Sequence, residues 1–257
     1  MISLRAAVSD ADLEAWRQVR AAVLPNERAG TLEELRAARA SGRLFLLAAV
    51  DGEVVGAGMA GRSDLAGRAS LLPRVVPRAR RRGVGTALLR ALAAHVESLG
   101  YDEVGSHTED AASLAFAERF GFREVNREVE QVRAVGDEPP SRAPEGVEIV
   151  CVAERPELWR TVYESVGAQA FQDMALDTPL DISLEQWERE WITCPEATFV
   201  ALAVGEPIGC AGLIPDGDRP SLAENALTAV RRDWRRRGVA VALKRATLAW
   251  AAANGIR

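Results

Sequence analysis

The feature that most constrains this chain is that it repeats itself. Arg80-Arg81-Arg82-Gly83-Val84-Gly85 returns as Arg235-Arg236-Arg237-Gly238-Val239-Ala240. The same spacing carries forward without a gap and pairs Leu88 with Leu243, Arg90 with Arg245, Ala91 with Ala246 and Gly100 with Gly255. Upstream, the apolar run 45–50 matches 199–204 and Gly56 matches Gly209, with the small drift that loop insertions produce. A charge cluster, an apolar run and a glycine repeated in order specify two copies of one fold, and 257 residues suit two medium domains. Between them the stretch 134–146, AVGDEPPSRAPEG, is rich in Pro, Gly and charge and reads as a linker. The expected domains are therefore residues 1–133 and 147–257. The first copy continues past Gly100 through a strand, a helix and the Gly121-Phe122 turn to residue 132. The matching elements of the second copy would reach about thirty residues beyond Arg257, so that copy is expected to be incomplete at its C-terminal end.

Within the first copy, 2–8 reads as a strand. Ser9 with Asp12, and Thr31 with Glu34, form capping boxes that open two helices. The run 44–50 is too short and too apolar for a helix and reads as a buried strand, joined through Asp51-Gly52 to a second strand at 54–60. A strand at 70–76 precedes a helix at 85–99 with Leu88, Leu92, Val96 and Leu99 on one face, closed by Gly100. Then come a strand at 103–107, a helix capped by Asp110 and a last strand at 123–132. The second copy gives a strand at 147–153, helices near 156–166 and 184–191, strands at 199–204, 209–214 and 222–230, and a helix at 240–253. The order is α+β with a largely antiparallel sheet.

Composition narrows the function classes. The net charge is −5, which disfavours nucleic acid and anionic membrane as partners. Three cysteines, Cys151, Cys194 and Cys210, without CxxC spacing argue against a disulfide framework or a zinc site. His95 and His107 are the only histidines, so a histidine-rich metal site is excluded. No apolar leader occupies the first ten residues and no apolar stretch spans a membrane, which predicts a cytoplasmic protein; as to assembly, the expectation is a monomer or homodimer.

The chemistry lies where a strand meets a helix. A glycine turn at a helix N-terminus leaves backbone N–H groups pointing outward, and the positive end of the helix dipole adds to them. Gly83 and Gly85 let the main chain approach a pyrophosphate, and Arg80, Arg81 and Arg82 add charge-assisted contacts. The spacing is R-x-x-G-x-[GA]. It is neither a P-loop, since no G-K-[ST] follows, nor G-x-G-x-x-G.

This loop, together with Ser113-Leu114-Ala115-Phe116-Ala117-Glu118-Arg119-Phe120-Gly121-Phe122, resembles the GNAT N-acetyltransferase family in its tandem two-domain form. The loop matches the family's R/Q-x-x-G-x-G/A, and the second segment matches its N-x-x-A-x-x-L-Y-E-K-L-G-F ending. The resemblance implies tandem domains, each a mixed, mostly antiparallel sheet flanked by helices. It also implies acetyl-CoA as cosubstrate, bound where the fourth and fifth strands part. Its pantetheine would run along Val75 and Val76, or Ala229 and Val230. Its pyrophosphate would sit on Arg80, Arg81, Arg82, Gly83, Val84, Gly85 and Thr86, or on Arg235, Arg236, Arg237, Gly238, Val239, Ala240 and Val241, with Ser113 nearby. No metal is implied.

The implied reaction is direct attack by a primary amine of a small molecule on the thioester. The family's acid tyrosine falls at Ala117 here, and the strand 70–76 carries no carboxylate. Glu224 and His107 are the candidate bases. Trp159, Trp187 and Trp191 lie on helices that in this family wall the acceptor pocket, and as core residues they have a simpler reading. Asp173, Asp177 and Asp181 could attract a cationic amine. Two rivals stand beside the enzyme: an acyl-CoA-binding or sensory protein with degenerate copies, and a protein N-acetyltransferase.

Overall fold

A computed structural model describes the chain apart from residues 175, 177, 192 and 193, and of 189 and 190 it describes the backbone alone. The chain divides into two compact units, Met1–Arg127 and Glu128–Arg257.

The first unit runs β1 (Ile2–Ala6), α1 (Asp10–Val23), α2 (Leu32–Ala40), β2 (Leu44–Val50), β3 (Glu53–Arg62), β4 (Ala69–Val75), α3 (Val84–Ser98), β5 (Val104–Gly105) and α4 (Ala111–Arg119). Both predicted capping boxes are formed: Ser9 accepts from Asp12 N–H, Thr31 accepts from Glu34 N–H, and each acidic side chain reaches back to its cap. The sheet order is β1-β2-β3-β4-β5, antiparallel except for the parallel pair β4–β5. On one face α1 buries Leu13 and Trp16. The Trp16 indole stands edge-on to Phe45 and donates to Gly58 O at 2.9 Å. On the other face Val84, Leu88 and Leu92 of α3 press against the sheet at Gly56 and Gly58. A Cβ at Gly58 would come within 2.9 Å of Leu92.

The second unit runs β6 (Val147–Cys151), α5 (Leu158–Val162), a π turn (Tyr163–Gly167), α6 (Ala168–Asp173), α7 (Leu184–Glu190), β7 (Thr198–Ala203), β8 (Glu206–Pro215), β9 (Ala223–Val230) and α8 (Val239–Ala253). Its sheet, β6-β7-β8-β9, is antiparallel throughout. The repeat extends to fine detail. Each unit has a register shift in its second ladder, at Ala48/Ala49 and at Ala201/Leu202. Each joins those strands by a turn with two positive φ angles, Asp51-Gly52 and Val204-Gly205. At Gly209, the match of Gly56, a Cβ would stand 2.9 Å from Ala229 O and 3.2 Å from Leu243.

Two expectations need correction. Residues 123–132 form no strand, and Val125, Val129 and Val132 are exposed. The pattern in that stretch suits a strand, but β5 is two residues long and offers too few ladder positions to order a neighbour. The helix expected over 156–166 breaks into α5, the π turn and α6 and runs on to Asp173. Gly167 accommodates the Trp187 ring there, at 3.4 Å from where a Cβ would be.

Candidate functional site

In each unit the sheet's last long strand leads through a short 3-10 turn, Pro77–Ala79 or Arg232–Trp234, into the arginine–glycine loop and then the helix. The backbone is the same in both. Val76 has φ −55°, ψ 142° and Arg231 has φ −51°, ψ 139°. Arg80 and Arg235 have φ −64° and −67°, while Arg81 and Arg236 are left-handed at 63° and 62°. Gly83 and Gly238 follow at 86° and 82° as helix N-caps without a side-chain cap. A left-handed arginine costs about 1–2 kcal/mol, and the same strain held twice at one position marks a conformation the fold maintains.

The turn exposes donors. The first helical bonds are Ala87 N–H to Gly83 O and Ala242 N–H to Gly238 O, both 3.0 Å. Upstream of them the N–H groups of Val84, Gly85 and Thr86, and of Val239, Ala240 and Val241, have no acceptor within the helix. This array suits an anion. A Cβ at Gly85 would meet Phe116 of α4 at 3.5 Å, an ordinary contact, so Ala240 can replace that glycine in the second unit.

The strand edge beside each loop is open. β4 pairs with β5 only at Ala69–Val104 and Ser70–Gly105, and beyond Ser70 the two strands part. Val76 N–H is spent on Val55 O at 3.0 Å, so alternation turns the main chain of Val75 to the open side, where its carbonyl accepts Arg80 Nε–H at 3.2 Å. The second unit repeats this: Arg231 N–H donates to Ile208 O at 2.9 Å, and Val230 O accepts Arg235 Nε–H at 2.9 Å. Ala229 then faces β8. The first arginine of each loop therefore braces the strand end and is not wholly free for a ligand. On the first edge Pro73 carries no N–H, whereas its counterpart Thr228 does.

Carboxylates distant in sequence complete both loops, and sequence reasoning did not find them in this role. Asp110 caps α4, accepts Ser113 N–H at 2.8 Å and its hydroxyl at 3.0 Å, and takes Arg80 Nη1–H at 3.4 Å. The Ser113 N–H, with its hydroxyl and Arg80 adding, holds that carboxyl below its ordinary value. In the second unit Asp173 lies at the end of α6 and binds both Arg232 and Arg235, which lower its carboxyl to about 2. Arg237 lies over the Trp234 ring, 4.9 Å from its centroid. Among the described residues Arg81, Arg82 and Arg236 make no hydrogen bond or ion pair, though Arg82 acts electrostatically on Asp51.

The other candidates fall apart from the loops. Glu224 is an exposed residue near the start of β9, six residues and roughly 20 Å along the strand from Val230. His107 is exposed, two residues past the end of β5. Asp173 is committed to arginines, Asp181 is exposed, and Asp177 lies outside the described residues. Trp159 and Trp187 stack at 4.4 Å and exchange indole N–H bonds with each other's carbonyls, at 2.9 Å and 3.4 Å. Trp191 stacks behind at 5.6 Å. Trp187 is fully buried, so this is a packed core. Cys210 is buried, and burial pushes its thiol up to about 12. Among the described residues no group of His, Cys, Asp or Glu is placed to hold a metal, and no helix is long and apolar enough to cross a membrane.

An open strand edge followed by an uncapped, glycine-led helix is present in both units, and in the first the edge strand parts from a parallel neighbour. The profile of the acetyltransferase (GNAT) family matches residues 7–122 and 159–257, and the chain belongs to that family. Two solved structures align over 100% of the chain. A GCN5-related N-acetyltransferase from Sphaerobacter thermophilus is 20% identical, with 84% of its own length covered and a TM-score of 0.69. A tandem GNAT protein from the clavulanic acid biosynthesis pathway is 17% identical, with 88% covered and a TM-score of 0.69. They bear out the tandem arrangement of the fold. No curated protein matches the chain in sequence.

Proposed function

We propose that this protein transfers an acetyl group from acetyl-CoA to a primary amine of a small molecule in the cytoplasm, and that the first unit is the catalytic copy. The observation that carries the reading is the first loop: three N–H groups without an acceptor in the helix, two exposed arginines that make no hydrogen bond or ion pair among the described residues, and an open strand edge one turn away. The pyrophosphate would rest on the N–H groups of Val84, Gly85 and Thr86 and on Arg81 and Arg82. The pantetheine would lie along the β4 edge and take the Val75 N–H, in the manner of an added strand.

The acetyl carbonyl then stands where β4 and β5 part. The amine nitrogen attacks the thioester carbon, the C–N bond forms and the C–S bond breaks. The ammonium proton passes to water or to His107 at the lip of the opening. The thiolate that departs has an intrinsic pKa of about 8.5, so water can protonate it and Ala117 in place of a tyrosine is no obstacle. Orientation supplies most of the acceleration.

For the second unit a non-catalytic reading is favoured by one observation: Asp173 occupies two of the arginines at its loop. Titration calorimetry with acetyl-CoA tests both. The expected result is one tight site that Arg81→Asn/Arg82→Gln removes. No binding at all would end the acetyltransferase reading.

A further inference from the structure

Arg74 is a cation for which the reaction above has no use. It sits one residue before the end of β4. The Val75 side chain lies toward α3, 3.8 Å from where a Gly85 Cβ would stand, so alternation sends Arg74 to the opposite face, toward α1. Its Nη1 is sealed from solvent and meets no hydrogen-bond partner among the described residues. The charged groups that act on it are Arg20 of α1, Glu27 from the α1–α2 connection and Glu109 from the β5–α4 connection. Glu27 is already bound to Arg20 at 2.7 Å. Burial pushes the Arg74 guanidinium down to about 10, still charged at neutral pH. The side chain is only partly exposed, and a shielded guanidinium nitrogen without a bonded partner works against folding. The second unit has Ala229 at the matching place and carries no such cost.

We propose that Arg74 receives a carboxylate of the acceptor, so that the first unit acetylates amines that are also acids. The donor's phosphates cannot serve this residue, because their loop opens on the α3 side of the sheet and Arg74 faces the other way. Arg74 lies on β4 between Ser70, beyond which the strands part and the thioester carbonyl would lie, and Val75, which would take the pantetheine, so an acceptor spanning that stretch brings its amine to the carbonyl and its carboxylate to Arg74. A guanidinium takes a carboxylate through two parallel N–H bonds, and that fork also orients the amine.

This inference rests on the acetyltransferase reading, and the test separates the two. The full chain is assayed for thiol release from acetyl-CoA with ω-amino acids from glycine to 6-aminohexanoate, each beside its primary carboxamide. The expected result is that at least one acid is used with kcat/KM about 10-fold or more above its amide. Arg74→Gln should erase that preference through KM for the acid, with kinetics on the amide unchanged. In the absence of substrate, Arg74→Met should raise Tm by about 3 °C or more, since it removes a partly buried charge whose Nη1 has no hydrogen-bond partner among the described residues. An arginine that merely stabilises the strand would instead lose Tm on substitution. Turnover of amines without a preference for acids, equal losses on acid and amide in Arg74→Gln, or a lower Tm in Arg74→Met each overturns the proposal and leaves the acetyltransferase reading in place. If acetyl-CoA neither binds nor turns over, the reading of the whole site fails and the proposal goes with it.

Discussion

From residue 76 to 84 in the first unit and from 231 to 239 in the second, the backbone follows one path, yet the side chains on it are committed differently. The first loop leaves Arg81 and Arg82 to solvent and ties Arg80 loosely to Asp110. The second gives Arg232 and Arg235 to Asp173, lays Arg237 on Trp234 and leaves only Arg236 uncommitted. The main-chain edges differ in the opposite sense, since Pro73 lacks the N–H that Thr228 offers. Two copies can thus keep the geometry of a phosphate loop while committing its arginines to different partners, because conformation is set by local backbone preferences and pairing by contacts with other elements.

The comparison can be broken most directly at the free arginines. Arg81→Asn with Arg82→Gln should weaken acetyl-CoA binding about 100-fold, as two charge-assisted contacts are lost, while Arg236→Asn with Arg237→Gln should cost under about 10-fold. Equal losses in calorimetry would show that the loops are equivalent. Next come the caps. Gly83→Ala and Gly238→Ala each force a side chain into the left-handed region at about 1–2 kcal/mol, so each should lower thermal stability by a similar amount. A clear inequality would mean that the shared backbone is not equally needed.

A smaller effect is expected at Asp173. Asp173→Asn frees two arginines and should strengthen acetyl-CoA binding to the second unit by about 5-fold, read in the same titration. The pH dependence has a definite sign. The folded carboxyl titrates at about 2 against an ordinary 3.8, so its contribution to stability is present above 3.8 and is lost as pH falls toward 2. Acid unfolding followed by circular dichroism should therefore lose its steepness in that window in Asp173→Asn. The mildest test concerns the hairpin turns. Val204 holds φ 52° where the first unit has Asp51 at 51°. Val204→Asn should stabilise by about 1 kcal/mol and Asp51→Val should destabilise by a like amount, measured by thermal melts.

Much of this was readable from residue order. The repeat, both capping boxes and the arginine–glycine loops are local patterns, and local patterns report local backbone. The roles of Asp110 and Asp173 were not readable, because each meets its arginines across a long stretch of chain and nothing near Asp173 in sequence points to Arg235. Arg74 stood in plain view within an arginine-rich stretch. Only strand alternation and the shielding of its Nη1 set it apart from Arg81 and Arg82. The valines at 125, 129 and 132 erred in the other direction: a strand pattern needs a neighbour, and periodicity cannot supply one.

The tryptophans are divided very unevenly, and this gives the protein two colours of self-report. Trp16 is the one indole of the first unit, buried and bonded to Gly58 O, while the other five belong to the second. Emission from Trp16 alone, isolated by its loss in Trp16→Phe, follows the melting of one half. Trp159 and Trp187, stacked at 4.4 Å, share excited states, and their paired dichroism band follows the other half. A single cuvette can therefore show whether the two units unfold together or one at a time, with no dye attached.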